Sequence, residues 1–211
     1  MSKLNLIDRR AFLRRASSTA LTLPLIGIGV VELTSCASAT TGTTVNFGGG
    51  WRTTICPSNE PGEPLIITGT IYAPDGRTPM EGVFLSVYQT DAAGVYSTKG
   101  GEDQRNTRIN GKMRSNAEGK YEFRTIKPGS YPGSRNPAHI HAYVSGVGYP
   151  EYWIDEFHFM DDPFISDEDK RKAEAQGYFS PILKLSRDSE GVLRGVRDIK
   201  VERCSRNCTG R

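Results

Sequence analysis

The sequence holds only three histidines, and two of them sit in the run Pro137-Ala138-His139-Ile140-His141. On a β-strand, residues i and i+2 project from the same face, so His139 and His141 can converge on one point. Imidazoles offered in this way suit zinc, copper or iron. Alone, a His-x-His pair is more often a surface or core pair than a set of ligands, and the tyrosines around it supply the context. Tyr96 follows the turn Ala93-Gly94-Val95, and Tyr131 follows Pro128-Gly129-Ser130, eight residues before His139. Either tyrosine taken singly would be a turn residue that packs its ring and bonds its hydroxyl. With the histidines they form a set of two phenols and two imidazoles. The third histidine, His158, reads as structural.

The elements that must position these side chains are short and β-rich. Runs of β-branched and aromatic residues are punctuated by turn dipeptides: Asp75-Gly76, Ala93-Gly94, Glu118-Gly119, Pro128-Gly129 and Glu190-Gly191. Strands are predicted over Leu65–Tyr72, Val83–Tyr88, Tyr121–Thr125, His139–Ser145, Ile182–Leu185 and Val192–Val201. The pattern implies an all-β fold, an antiparallel β-sandwich of immunoglobulin or transthyretin type. One short helix is predicted over Asp167–Gln176, with Ser166 as its N-cap, acids in its first turn and Gly177 just past its end.

Three ordered segments carry a resemblance. Val87 to Tyr96 (VYQTDAAGVY) resembles the first ligand segment of the intradiol ring-cleavage dioxygenases. Gly119 to Pro132 (GKYEFRTIKPGSYP) is similar to their second, and Pro137 to His141 (PAHIH) to their third. The likeness spans roughly residues 62–165. It implies that Tyr96, Tyr131, His139 and His141 bind one non-haem Fe(III). Two phenolates with two neutral imidazoles favour the ferric state and differ from the two-His, one-carboxylate triad of Fe(II) oxygenases. The resemblance further implies that a catechol displaces the Tyr131 phenolate, which then acts as an internal base. Oxygen cleaves the ring between the hydroxylated carbons, and a muconate-type diacid results. Arg135 is the candidate for a positive charge that stabilises the electron-rich ring, although Asn136 intervenes before Pro137 and shifts the register. A second departure is Asp155-Glu156, where the family often has Thr-Gln. An acid in that pocket disfavours anionic ring substituents.

The first 35 residues read as an export leader. Arg9-Arg10-Ala11-Phe12-Leu13 after Asp8 resembles a twin-arginine signal, the stretch Ala16 to Val31 is short for a membrane span, and Leu33-Thr34-Ser35-Cys36 resembles a lipobox. The expected organisation is a leader at 1–35, a tether at 36–50 and a catalytic domain at 51–211. Membrane contact would come only through a lipid on Cys36. The leader carries five basic and two acidic residues, so the remainder holds 22 of each and has no net charge. A neutral domain without a basic run gives no reason to expect nucleic acid. An oxidising compartment favours one disulfide among Cys56, Cys204 and Cys208, and spacing does not choose the pair. A homo-oligomer is left open. The rival function is a non-enzymatic transthyretin-like binding module at the cell surface, which has no use for two post-turn tyrosines beside a His-x-His.

Overall fold

The computed structural model describes residues 46–47, 49–98, 100 and 102–202. The leader, Cys36, most of the tether, Cys204 and Cys208 lie outside the described residues, and with them the lipidation and disulfide expectations. Cys56 is a half-buried free thiol.

Among the described residues, twelve strands form two sheets: β1 Asn46–Phe47, β2 Arg52–Thr54, β3 Pro64–Tyr72, β4 Phe84–Gln89, β5 Asn110–Arg114, β6 Lys120–Ile126, β7 His139–Gly146, β8 Tyr149–Phe159, β9 Ile182–Leu183, β10 Ser186–Arg187, β11 Leu193–Val196 and β12 Ile199–Lys200. One sheet runs β1-β5-β4-β7-β8-β9. The other runs β10-β11-β3-β6-β2, with β12 also on β3. The long central pairings are antiparallel, whereas the short edge pairings β1·β5, β2·β6 and β8·β9 are parallel.

Alternation along each strand builds the core. Leu65, Ile67 and Ile71 of β3 and Tyr121 and Phe123 of β6 meet Leu85 and Val87 of β4, Ile140, Ala142 and Val144 of β7, and Phe157 and Phe159 of β8. Full burial of each large apolar side chain contributes roughly 1.5–3 kcal/mol. On β7 the even-numbered residues therefore face the other sheet. His139, His141 and Tyr143 project from the opposite, outer face. Cross-strand register places Tyr88 of β4 opposite His141, Trp153 of β8 opposite Tyr143, and His158 of β8 opposite His139.

The sandwich and the helix agree with the sequence reading. The helix α1, Asp167–Gln176, is capped by Ser166, whose hydroxyl accepts the Asp169 N–H at 3.1 Å, and Gly177 closes it at φ 60°. Three expectations are corrected. Val192–Val201 is not one strand: it breaks at Arg197 and Asp198, because the Asp198 carboxylate accepts the Thr70 N–H at 2.8 Å and Arg197 turns inward. Ile182–Leu185 ends at Leu183. The eleven-residue β8 was not anticipated, since Pro150 and two register shifts against β7 erase its alternation.

Candidate metal centre

The two tyrosines arrive on turns that lock together. Gly94 adopts φ 79°, a conformation natural only to glycine, and a Cβ there would lie 1.9 Å from the Ser130 carbonyl oxygen. A Cβ on Gly129 would lie 2.5 Å from the Ala92 carbonyl oxygen. Backbone meets backbone: the Gly129 N–H donates to the Asp91 carbonyl at 2.9 Å, and the Thr90 hydroxyl donates to the Gly129 carbonyl at 3.0 Å. Asp91 also caps its own turn by accepting the N–H groups of Ala93 and Val95. Tyr96 and Tyr131 are thus presented as one unit.

Their hydroxyls lie 2.9 Å apart. The Tyr131 oxygen is 3.1 Å from His139 Nε2 and 3.3 Å from His141 Nε2, and those two nitrogens are 3.2 Å from each other. All four residues singled out from the sequence therefore converge on one point on the outer face of the β4–β7 sheet.

Partners on the far side of each ring fix the tautomers. His139 Nδ1 faces the Pro137 carbonyl at 2.7 Å and must donate to it. His141 Nδ1 lies 2.9 Å from a Glu156 oxygen and must likewise donate. Both Nε2 atoms are then lone-pair acceptors, yet they confront each other at hydrogen-bond distance. Tyr131 can give its one proton to only one of them. A cation between them removes the conflict, so the donor set fits a bound metal. Burial pushes the His139 imidazole pKa down, which keeps it neutral as a ligand requires. Burial, with the Tyr131 hydroxyl bond second, raises the Tyr96 phenol far above its ordinary value. Loading a cation must therefore expel phenol protons, and metal uptake tightens as pH rises.

Glu156 stands close enough to the two imidazoles to be a ligand itself. Its geometry argues otherwise, because one oxygen is engaged with His141 Nδ1 and the other lies 3.5 Å from His158 Nε2. Hydrogen bonds from His141 and then His158 hold its carboxyl well below the usual range. A carboxylate behind a ligating histidine orients the ring and raises its basicity. The sequence reading placed Glu156 only as a pocket acid and His158 as structural, and neither role as an outer partner of the centre was foreseen. The cause is a β-bulge: Ile140 pairs with Phe157 but Ala142 with Ile154, so β8 carries one extra residue at Asp155–Glu156. Replacing Glu156 with alanine is expected to weaken metal binding about 10- to 100-fold. Glutamine should recover part of that loss, as competition against a chelator would measure.

Tyr88 stacks on His141 with ring centroids 4.5 Å apart and planes at 16°, while Trp153 meets the same ring edge-on at 6.1 Å. Arg135 is exposed, with its guanidinium 5.9 Å over the Phe164 ring, and among the described residues it makes no hydrogen bond to the four converging side chains. Beside His141 opens a cleft of about 750 Å³, walled by Trp153, Ile154, Ile165 and Ile182 and by Asp155, Glu156 and Asp169.

Residues 51–190 match the family model described as Dioxygenase. The chain belongs to the intradiol dioxygenase family. It is 31% identical over 116 residues to the protocatechuate 3,4-dioxygenase beta chain of Burkholderia cepacia, covering 50% of this chain and 48% of that one. It is 32% identical over 134 residues to catechol 1,2-dioxygenase 1 of Acinetobacter lwoffii, covering 54% and 41%. The chain thus matches about half the length of these curated relatives. Among solved structures, the dioxygenase domain of a dioxygenase and carbohydrate-binding protein fusion from Streptomyces sp. SirexAA-E superposes with a TM-score of 0.55 at 25% identity. That match covers 73% of this chain and 89% of the domain. Its likeness across nearly the whole of that domain fits the intradiol dioxygenase β-sandwich seen here.

Proposed function

We propose that the chain is a non-haem iron(III) enzyme that opens a catechol-type ring with O2 between its two hydroxylated carbons, giving a muconate-type diacid. The observation that carries this reading is the convergence of two phenol oxygens and two imidazole nitrogens, with Tyr131 Oη within 3.3 Å of the other three and the two nitrogens 3.2 Å apart. Tyr96, Tyr131, His139 and His141 would hold the ion, and two hard anionic oxygens favour Fe(III) over Fe(II). Bound there, the ion supplies Lewis acidity and a one-electron acceptor that makes a chelated catechol reactive toward O2. The rest falls to the protein. Tyr131 Oη, in reach of both imidazoles, is placed to take a catechol proton as a base. Glu156 and the Pro137 carbonyl keep both histidines in the tautomer whose lone pair faces inward. Tyr88 stacked on His141 and Trp153 edge-on to it hold the orientation of that ring.

The N-terminal sequence supports export and a lipid on Cys36, which would set the enzyme in the cell envelope. A zinc site, which would be colourless, or a copper site is the competing reading of the same donors.

The test is the visible spectrum of the full chain loaded with ferric iron, before and after catechol is added without oxygen. A broad red-brown phenolate band that moves to longer wavelength with catechol is the expected result, and ring-opened diacid should form once air is admitted. A protein that takes up no iron, or whose spectrum ignores catechol, would overturn the proposal.

A further inference from the structure

The cleft beside His141 is larger than an unsubstituted catechol needs, and its charge is one-sided. Among the described residues, its lining includes the carboxylates of Asp155, Glu156 and Asp169 and no lysine or arginine. Glu156 is engaged with two imidazoles. Asp155 and Asp169 make no ion pair among the described residues. The Asp155 side chain is exposed on the bulge of β8, and Asp169 takes only the Ser166 hydroxyl at 2.6 Å. Arg135 is laid over Phe164, and the Arg197 guanidinium meets Asp155 at its backbone carbonyl, 2.8 Å away, rather than at its carboxylate. Trp153, 39% exposed, completes the wall, its ring held by Tyr143 at 5.3 Å and His141 at 6.1 Å.

We infer that the cleft selects catechols whose ring substituent carries a protonated amine over catechols whose substituent carries a carboxylate. An ammonium group there meets the Asp155 and Asp169 carboxylates, which form no ion pair among the described residues, and the partly exposed Trp153 indole, both of which attract it. A carboxylate meets like charge and finds no cationic partner to offset its loss of water. Asp155 and Trp153 are thus the specificity-determining residues. The inference rests on the ring-cleavage reading of the site.

Three ligands of matched length separate the effects: 4-(2-aminoethyl)catechol, 4-ethylcatechol and 4-(2-carboxyethyl)catechol. Each is titrated without oxygen into the full chain loaded with ferric iron, and binding is followed by the shift of the visible band and by calorimetry. The amine should bind at least about tenfold more tightly than the acid, with the ethyl compound between them. Asp155→Asn, a change at an exposed position, should narrow the ratio roughly fivefold, and added salt should narrow it too. A flat or reversed order, or a ratio that Asp155→Asn leaves unchanged, overturns the selectivity while leaving ring cleavage standing. If none of the three shifts the band, the ring-cleavage reading falls and this one falls with it.

Discussion

Tyr96→Phe and His139→Ala are each expected to lower ferric-ion affinity by about 10²- to 10³-fold and to remove the proposed ring cleavage, while leaving the protein folded. A four-ligand site binds its metal by roughly 10–16 kcal/mol, so each ligand is worth about 3–4 kcal/mol, which is that factor. The fold should survive because neither side chain belongs to the apolar core between the sheets, although His139 is itself buried on the outer face. His139 projects from the outer face of β7, and Tyr96 stands on a turn. The measurements are chelator competition for affinity and thermal unfolding of the metal-free variants. A melting temperature close to that of the parent, together with lost colour, is the expected pair. Retention of colour by Tyr96→Phe would remove this tyrosine from the ligand set.

Arg197→Ala is expected to do the reverse and destabilise the whole domain by about 3–5 kcal/mol, a loss that denaturant unfolding would register. Arg197 is 4% exposed, and burial pushes its pKa down. Its Nη1 donates to the Asp155 carbonyl at 2.8 Å, its guanidinium lies 4.4 Å over the Phe157 ring, and its Nε has no hydrogen-bond partner among the described residues. The bonded carbonyl belongs to the bulge that aims Glu156 at His141. Truncation leaves a cavity beside Phe157 and an unsatisfied carbonyl in it. It also frees the bulge, so the surviving folded protein should hold metal more weakly. The backbone around Arg197 is equally committed. Its carbonyl accepts the Tyr121 hydroxyl at 2.7 Å, and a Cβ on Gly69 would lie 1.7 Å from that carbonyl oxygen. Stability unchanged in Arg197→Ala would show that the bulge is held by the β7 ladder alone.

These three variants divide what the sequence disclosed from what it hid. The four converging residues were legible because their placement is local. A strand fixes His139 and His141 on one face within three residues, and Gly94 and Gly129 mark the turns that carry the tyrosines. Glu156 and Arg197 act through cross-strand register and a bulge, and nothing within a few residues of either announces the partner. Their signals were also misleading: an acid after Asp155 reads as a pocket charge, and Arg197, although it shares parity with Leu193, Ile199 and Val201, is of a residue type that seldom goes inside. Strand β8 was missed for the same reason, since its extra residues break the period that would have exposed it. The β3, β4, β6 and β7 strands keep their period and were found to within a residue or so.

Strand β7 divides its work by parity. Positions 140, 142 and 144 are spent on the core, and positions 139, 141 and 143 on the outer face. A substitution at either set disturbs only that set, but gain or loss of one residue exchanges them, driving imidazoles inward and aliphatic side chains out. This strand can therefore drift in composition over evolutionary time but is frozen in length. An insertion or deletion that reshapes the cleft without exchanging the two faces must fall in the loops at its ends.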